Sequence, residues 1–210
     1  MTSVEHRGPA GERETRQFCE IYEASFHAGE RDETAVLLDR VLSGKRECYL
    51  AVAGEQVLGL AVVLPLAGYP VAFLEYLAVA PGARNAGIGS RILACLRPGL
   101  TQIMESGVDG IIFEVDQPEG AQDSGERELR RRRIAFYQRN GAAVVDGARD
   151  YRAPVDDGTL AYLLMWLPVA SGAPQPAGPY LKGCVTAIFT QSYELGEDTP
   201  LVRELTVGIG

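Results

Sequence analysis

The chain has 210 residues, of which 46% are apolar and 23% charged; that mixture excludes wholesale disorder, a collagen rod and a heptad coil, and it is long enough to bury a core without staples. A formal charge of −8 argues against a surface built to neutralise nucleic-acid phosphates and would attract cationic small molecules or basic protein tails. The longest apolar runs, 57–66 and 160–169, are half of the roughly 20 residues that span a bilayer, and the charged opening segment lacks the apolar centre of a secretion signal, so a soluble, cytoplasmic protein without membrane contact is expected.

Residues 1–11 are polar with glycine and proline and read as a loose start. Phe18, Ile21, Tyr22 and Phe26 then fall on one helical stripe within 12–27. A second helix is expected at 33–43, with Ala35, Leu38, Val41 and Leu42 inward and Gly44 as its stop. Residues 48–53 and 57–66, joined by Gly54-Glu55-Gln56, read as an antiparallel hairpin, and 72–79 as a third strand.

From Pro81 the chain is rich in Gly, Ala and Arg until a helix opens with Ile88, Ile92, Leu93 and Leu96. Pro98 is expected to end that helix or to start a further turn reaching about 106. A short apolar strand interrupted by Glu114 follows at 110–115, then a polar loop, 116–125. A helix is expected at 126–139, closed by Asn140-Gly141, then a strand at 142–145, a loop at 146–158 and a strand at 160–167. Residues 171–179 hold three prolines and two glycines and read as a linker to a helix at about 180–194, with Leu181, Cys184, Val185, Ile188 and Phe189 at helical spacing.

Hairpins come first and strand–helix–strand crossovers later. A crossover of that kind is right-handed and parallel. The expected fold is therefore α/β: a mixed, mostly antiparallel sheet with a parallel pair made by 72–79 and 110–115, flanked by helices. One domain is expected over 1–169. The remainder, 170–210, reads as linker, helix and tail, whose apolar stripe must pack on the sheet or on a partner subunit, leaving a homodimer open.

The segment that carries chemistry is Leu77-Ala78-Val79-Ala80-Pro81-Gly82-Ala83-Arg84-Asn85-Ala86-Gly87-Ile88-Gly89-Ser90. Glycines 87 and 89, placed between a strand and a helix, let backbone N–H groups converge with no Cβ in the way. Those amides add to the positive end of a helix and make an anion site. A Walker loop is excluded because no lysine follows Gly89, and a dinucleotide fingerprint because its third glycine position holds Ile92.

The remaining pattern, Arg84-x-x-Gly87-x-Gly89 after a strand ending Leu77-Ala78-Val79, resembles the signature of the GNAT superfamily of acyl-CoA N-acyltransferases. A second block, Phe136-Tyr137-x-x-x-Gly141-Ala142, resembles that family's Phe-Tyr-x-x-x-Gly block at the correct end of the chain. The resemblance covers about residues 12–168. It implies that acetyl-CoA is the cosubstrate, its diphosphate held by Arg84, Asn85, Ala86, Gly87, Ile88, Gly89 and Ser90. It also implies that the parallel strand pair splays to admit the pantetheine arm beside Leu77, Ala78 and Val79, with the Leu77 N–H on the thioester oxygen. The implied reaction is acetyl transfer to a primary amine by direct attack in a ternary complex. Tyr137 matches the family's general acid.

An attacking ammonium must lose a proton, and either of two carboxylates could take it. Glu75 shares a strand face with Phe73 and Leu77; Glu114 sits in the Phe-Glu-Val of the next strand. A Glu in an apolar strand could equally pair with an arginine. The glycine loop alone also suits an acyl-CoA-binding sensor or interaction module with little turnover. Arg130, Arg131, Arg132 and Arg133 point to all sides of a helix and follow Glu126 and Glu128, so they read as a salt-bridged face and not as a nucleic-acid stripe. Cys19, Cys48, Cys95 and Cys184, with no CxxC, read as reduced core thiols, and His6 and His27 are too few to build a zinc cage, so no metal is expected. The acceptor could be a small polyamine or amino sugar, or a protein amine.

Overall fold

A computed structural model describes residues 2–104, 107–155, 158–170 and 172–210. They divide into two compact units, Met1–Pro65 with Leu74–Glu105, and Leu66–Phe73 with Ser106–Gly210. The division falls inside one strand, β4, described below.

The first unit contains β1 (Ser3–His6), α1 (Gly11–Ser25), α2 (Thr34–Leu42), β2 (Glu47–Ala53), β3 (Gln56–Pro65), the later part of β4 (Val71–Val79) and α3 (Ile88–Ile103). Its strands are ordered β1-β2-β3-β4. The β2–β3 hairpin is antiparallel as expected. The opening segment is not loose: β1 pairs antiparallel with β2, from Ser3↔Val52 to His6↔Tyr49. Its polar sequence suits an edge strand, where one row of backbone groups stays in water.

Alternation along β2 and β3 gives this unit two apolar faces. Phe18, Ile21 and Tyr22 of α1 and Leu37 and Val41 of α2 pack on Leu50, Val52, Leu60 and Val62. In α2 Leu37 and Val41 are buried and Leu38 is half-buried, while Leu42 and Ala35, expected inward, are exposed. Tyr49 points the other way, toward α3; a Cβ on Gly99 would collide with its hydroxyl. Helix α3 runs straight through Pro98. Its buried stripe of Ile88, Ile92, Leu93, Leu96 and Leu100 supplies about 1.5–3 kcal/mol per side chain, which outweighs a proline cost of about 3 kcal/mol.

The second unit contains the first three residues of β4, β5 (Gly110–Asp116), α4 (Ser124–Arg139), β6 (Ala143–Val144), β7 (Arg152–Val155), β8 (Gly158–Pro168), α5 (Gly178–Gln191) and α6 (Pro200–Leu205). Strands β4 and β5 are parallel, with Val71↔Gly110, Ala72↔Ile111 and Phe73↔Ile112 in register. Beyond these pairs β4 continues through 74–79 and β5 through 113–116. Antiparallel β8 lies on the other side of β5, from Gly110↔Pro168 to Asp116↔Tyr162. Both β6 and β7 pair with β8. Strand β7 falls where a loop was expected; Pro154 inside it hid the signal, because proline is tolerated only on a strand's free edge. The mixed, mostly antiparallel sheet with one parallel pair is the expected fold class.

The apolar stripe of α5 is buried within this unit: Leu181, Cys184, Val185, Ile188 and Phe189. The end of α5 is tied to the segment before β4, since the Gln191 amide accepts from Ala67 N–H at 2.8 Å and donates to Ala67 O at 3.1 Å. A Cβ on Gly183 would meet the Tyr69 hydroxyl, so α5 can lie this close only with glycine there. No helix among the described residues is long and apolar enough to cross a membrane.

Candidate active site

In the first unit, β4 leads straight into the loop singled out from the sequence. Ala80 N–H donates to Leu58 O at 2.9 Å, anchoring the end of β4. Gly59 lets β3 come close: a Cβ there would stand 2.8 Å from Ala78 O and 3.2 Å from Ile92. A single 3-10 turn, Pro81–Ala83, follows, with Ala83 N–H donating to Ala80 O at 2.8 Å. Asn85 (φ +63°) and Gly87 (φ +74°) then take left-handed backbone, and Gly87 is the N-cap of α3. No side chain caps α3. The amides of its first turn have no intrahelical partner, and residues 84–87 are exposed. Left-handed turns at a helix start aim successive N–H groups at one point, which is the geometry of an anion cradle. The Arg84 side chain folds back, donating to Val79 O at 3.4 Å.

Farther up β4, Glu75 accepts a hydrogen bond from Arg46 Nε at 2.7 Å, and both side chains are buried. The next residue, Tyr76, points the other way. Its ring meets Tyr22 edge-on at 4.9 Å and Phe26 at 5.0 Å, and its hydroxyl accepts from Asp32 N–H at 3.1 Å. Burial pushes the Tyr76 phenol up to about 12.

In the second unit, Glu114 and Phe113 are neighbours on β5 and so point to opposite faces. On the Glu114 face, the carboxylate accepts from two phenols: the Tyr151 hydroxyl on Oε1 and the Tyr193 hydroxyl on Oε2 at 2.7 Å. Tyr151 is fully buried, and its ring stacks on Phe189 of α5 at 5.7 Å. Burial first, and then the Glu114 charge, push the Tyr151 phenol far above its usual range, so it stays a donor. On the Phe113 face lies Tyr137 of α4, with ring centroids 4.5 Å apart. Burial raises the Tyr137 phenol to about 12, with Arg133 opposing. The chain thus sets a carboxylate on one side of β5 and a protonated phenol on the other.

Of the residues expected to act, Glu75, Leu77, Ala78, Val79, Arg84, Asn85, Ala86, Gly87, Ile88, Gly89 and Ser90 fall in the first unit, and Glu114 and Tyr137 in the second. Reading the sequence missed Arg46, Tyr151 and Tyr193. The first two carried no signal, lying 29 and 37 residues from their partners. Tyr193 did: Val185, Phe189 and Tyr193 continue the apolar stripe of α5 in steps of four. The arginine run is salt-bridged, Arg130 to Glu126 at 2.6 Å, Arg132 to Glu128 at 3.1 Å, and Arg133 to Asp116. Among the described residues no group of three or more His, Cys, Asp or Glu side chains is gathered for a metal ion.

Residues 15–142 match the profile of the Acetyltransferase (GNAT) family. No curated protein matches the sequence. Among solved structures, a GNAT-family protein from Bacteroides thetaiotaomicron has a TM-score of 0.69 at 21% identity, over 92% of this chain and 99% of that one. An aminoglycoside 6′-N-acetyltransferase complexed with coenzyme A has a TM-score of 0.62 at 17% identity, over 83% of this chain and 99% of its own. The ribosomal-protein-S18-alanine N-acetyltransferase of Escherichia coli has a TM-score of 0.56 at 19% identity, over 81% of this chain and 95% of its own. At these identities the likeness is one of fold.

Proposed function

The chain belongs to the GNAT family of acetyltransferases, and we propose that it moves the acetyl group of acetyl-CoA to a primary amine by direct attack in a ternary complex. The observation that carries this reading is the loop of residues 84–90, where left-handed Asn85 and Gly87 open an uncapped 16-residue helix. Its amides hold the diphosphate of the cosubstrate without any lysine. The backbone of 77–79 takes the pantetheine arm as an added strand, and the Leu77 N–H stabilises the oxyanion.

Glu114 takes the proton of the bound ammonium, directly or through one water. The freed amine nitrogen attacks the thioester carbonyl, forming the C–N bond as the C–S bond breaks. Tyr137 gives its proton to the departing thiolate; with a phenol raised to about 12 it is neutral and loaded at pH 7. The nitrogen, which still carries two protons after attack, gives one up through water to the Tyr137 phenolate and so restores the acid, and Glu114 releases its own proton to solvent. Glu75 is assigned to structure instead, because Arg46 already holds it. The amine acceptor is supported by two proteins of this fold whose acetyl transfer goes to nitrogen, on an aminoglycoside and on a ribosomal-protein alanine. The negative total charge suits cationic acceptors of either size.

The test is release of free CoA thiol from acetyl-CoA against a panel of polyamines, amino sugars, lysine peptides and free peptide N-termini. At least one amine is expected to turn over, and Glu114→Gln and Tyr137→Phe each lose about 100-fold or more in kcat, with CoA affinity by calorimetry unchanged. Binding of CoA with no thiol release from any amine would make the protein an acyl-CoA-binding module instead.

A further inference from the structure

Helix α5 and the turn after it lie outside the residues that match the family, 15–142, yet they reach the candidate base. The Tyr193 hydroxyl donates to Glu114 Oε2 at 2.7 Å across 79 residues of sequence. The turn is built to place it. Ser192 N–H and Tyr193 N–H both return to Ile188 O, at 2.9 and 3.3 Å, Leu195 N–H returns to Phe189 O at 3.0 Å, and Glu194 takes left-handed backbone at φ +55°. Phe189, one turn earlier, stacks on Tyr151, the donor to the other carboxylate oxygen. Gln191 fixes the same turn to Ala67 with two hydrogen bonds. Helix end, stacked ring and bridging amide thus converge on one carboxylate.

We propose that Tyr193 is a positioning residue for Glu114, so that the C-terminal segment completes the acid–base site of the reaction. This rests on Glu114 being the base. Two phenol donors on separate oxygens fix the carboxylate's plane and favour its ionised form. Tyr151 is fully buried and stays a donor, whereas Tyr193 is only half-buried and meets water on one side. Among the described residues, the titratable groups that face Glu114 include Tyr151 on the β6–β7 connection and Tyr193 after α5; Tyr162 on β8 acts on Tyr151, and the Asp116–Arg133 pair joins the end of β5 to α4.

The direct test needs no acceptor. The side-chain carboxyl of Glu114 is followed by carbon-13 NMR through a pH titration of the whole chain, its signal assigned by its loss in Glu114→Gln. In Tyr193→Phe, which keeps the ring and removes the donor, the midpoint is expected to rise by roughly one pH unit, the effect of losing one hydrogen bond to a charged group. With any amine that turns over, the acid limb of kcat/KM moves the same way and kcat falls about tenfold, while KM for acetyl-CoA holds. Tyr151→Phe moves the midpoint in the same direction if it folds. A Tyr193→Phe midpoint superimposed on wild type overturns the proposal. Full activity in Glu114→Gln overturns the assignment of the base instead, and leaves the NMR shift to report the hydrogen bond alone.

Discussion

Arg46 Nε lies 2.7 Å from Glu75 Oε2, with side chains only 6% and 4% exposed. Breaking a buried pair strands the surviving charge, which costs about 3–5 kcal/mol. Glu75→Ala is therefore expected to lower the unfolding free energy by about 3 kcal/mol in urea. The double variant Arg46→Met, Glu75→Leu recovers most of that loss, because no charge is left unpaired. Glu75→Gln, assayed well below its melting temperature, keeps most of wild-type kcat. A hundredfold fall in kcat with unchanged stability would return the base role to Glu75.

Gly59 sets how closely β3 approaches the end of β4. In Gly59→Ala the new Cβ would stand 2.8 Å from the Ala78 carbonyl oxygen, a backbone atom that cannot swing aside. The expected cost is about 1–3 kcal/mol. Because Ala78 belongs to the stretch assigned to the pantetheine arm, KM for acetyl-CoA should rise as well. Gly82→Ala, where a Cβ meets nothing within 4 Å, should stay within about 0.5 kcal/mol of wild type. Equal stabilities for the two variants would show that the close approach is not needed.

The parts of this molecule legible in the sequence are those that repeat or punctuate. The stripe of α3, the hairpin of β2 and β3, the glycine loop and the crossover between β4 and β5 all came from periodicity and from glycine or proline positions. What escaped were short edge strands and long-range pairs. Strand β1, Ser-Val-Glu-His, and β7, Arg-Ala-Pro-Val, are too short and too polar to show alternation; the sheet beside them makes them strands. At Pro98 the sequence left an end or a further turn open, because a local cost was weighed without the buried residues on either side of it; the helix continues to Ile103. For the candidate site, chemistry-bearing residues could be named but not their partners. That Glu75 faces an arginine and Glu114 faces two phenols depends on contacts 29 to 79 residues apart.

Tyr137 offers a pH test with a definite sign. Burial raises its phenol from the usual 10 to about 12. Below pH 10 both folded and unfolded chains keep the proton, so this residue contributes no pH dependence. Between about 10 and 12 the unfolded chain releases a proton that the folded chain retains, and stability falls as pH rises. Tyr137→Phe should remove that share, so the drop in urea midpoint between pH 9 and pH 11 is smaller than in wild type. The same variant loses turnover at pH 7 but keeps CoA affinity. An alkaline drop equal to wild type would mean that the phenol is not held protonated by burial.

The opposite sign holds at the start of the chain. Glu14 accepts from Arg7 Nη1 at 2.6 Å, from Arg7 Nη2 at 3.1 Å and from Ala10 N–H at 2.8 Å, joining the end of β1 to the first turn of α1. These bonds, the Arg7 guanidinium first, lower its carboxyl from 4.5 to about 2. The pair's contribution is then fully present above pH 4.5 and disappears as pH falls through 2, because the unfolded chain takes up its proton first. With Arg7 about one-third exposed, solvent screening holds the effect to about 1 kcal/mol. Wild type should exceed Glu14→Gln by that margin in urea unfolding at pH 6, and the two curves should converge as pH approaches 2. A gap that stays constant across that range would place the stabilisation in packing and not in the charge.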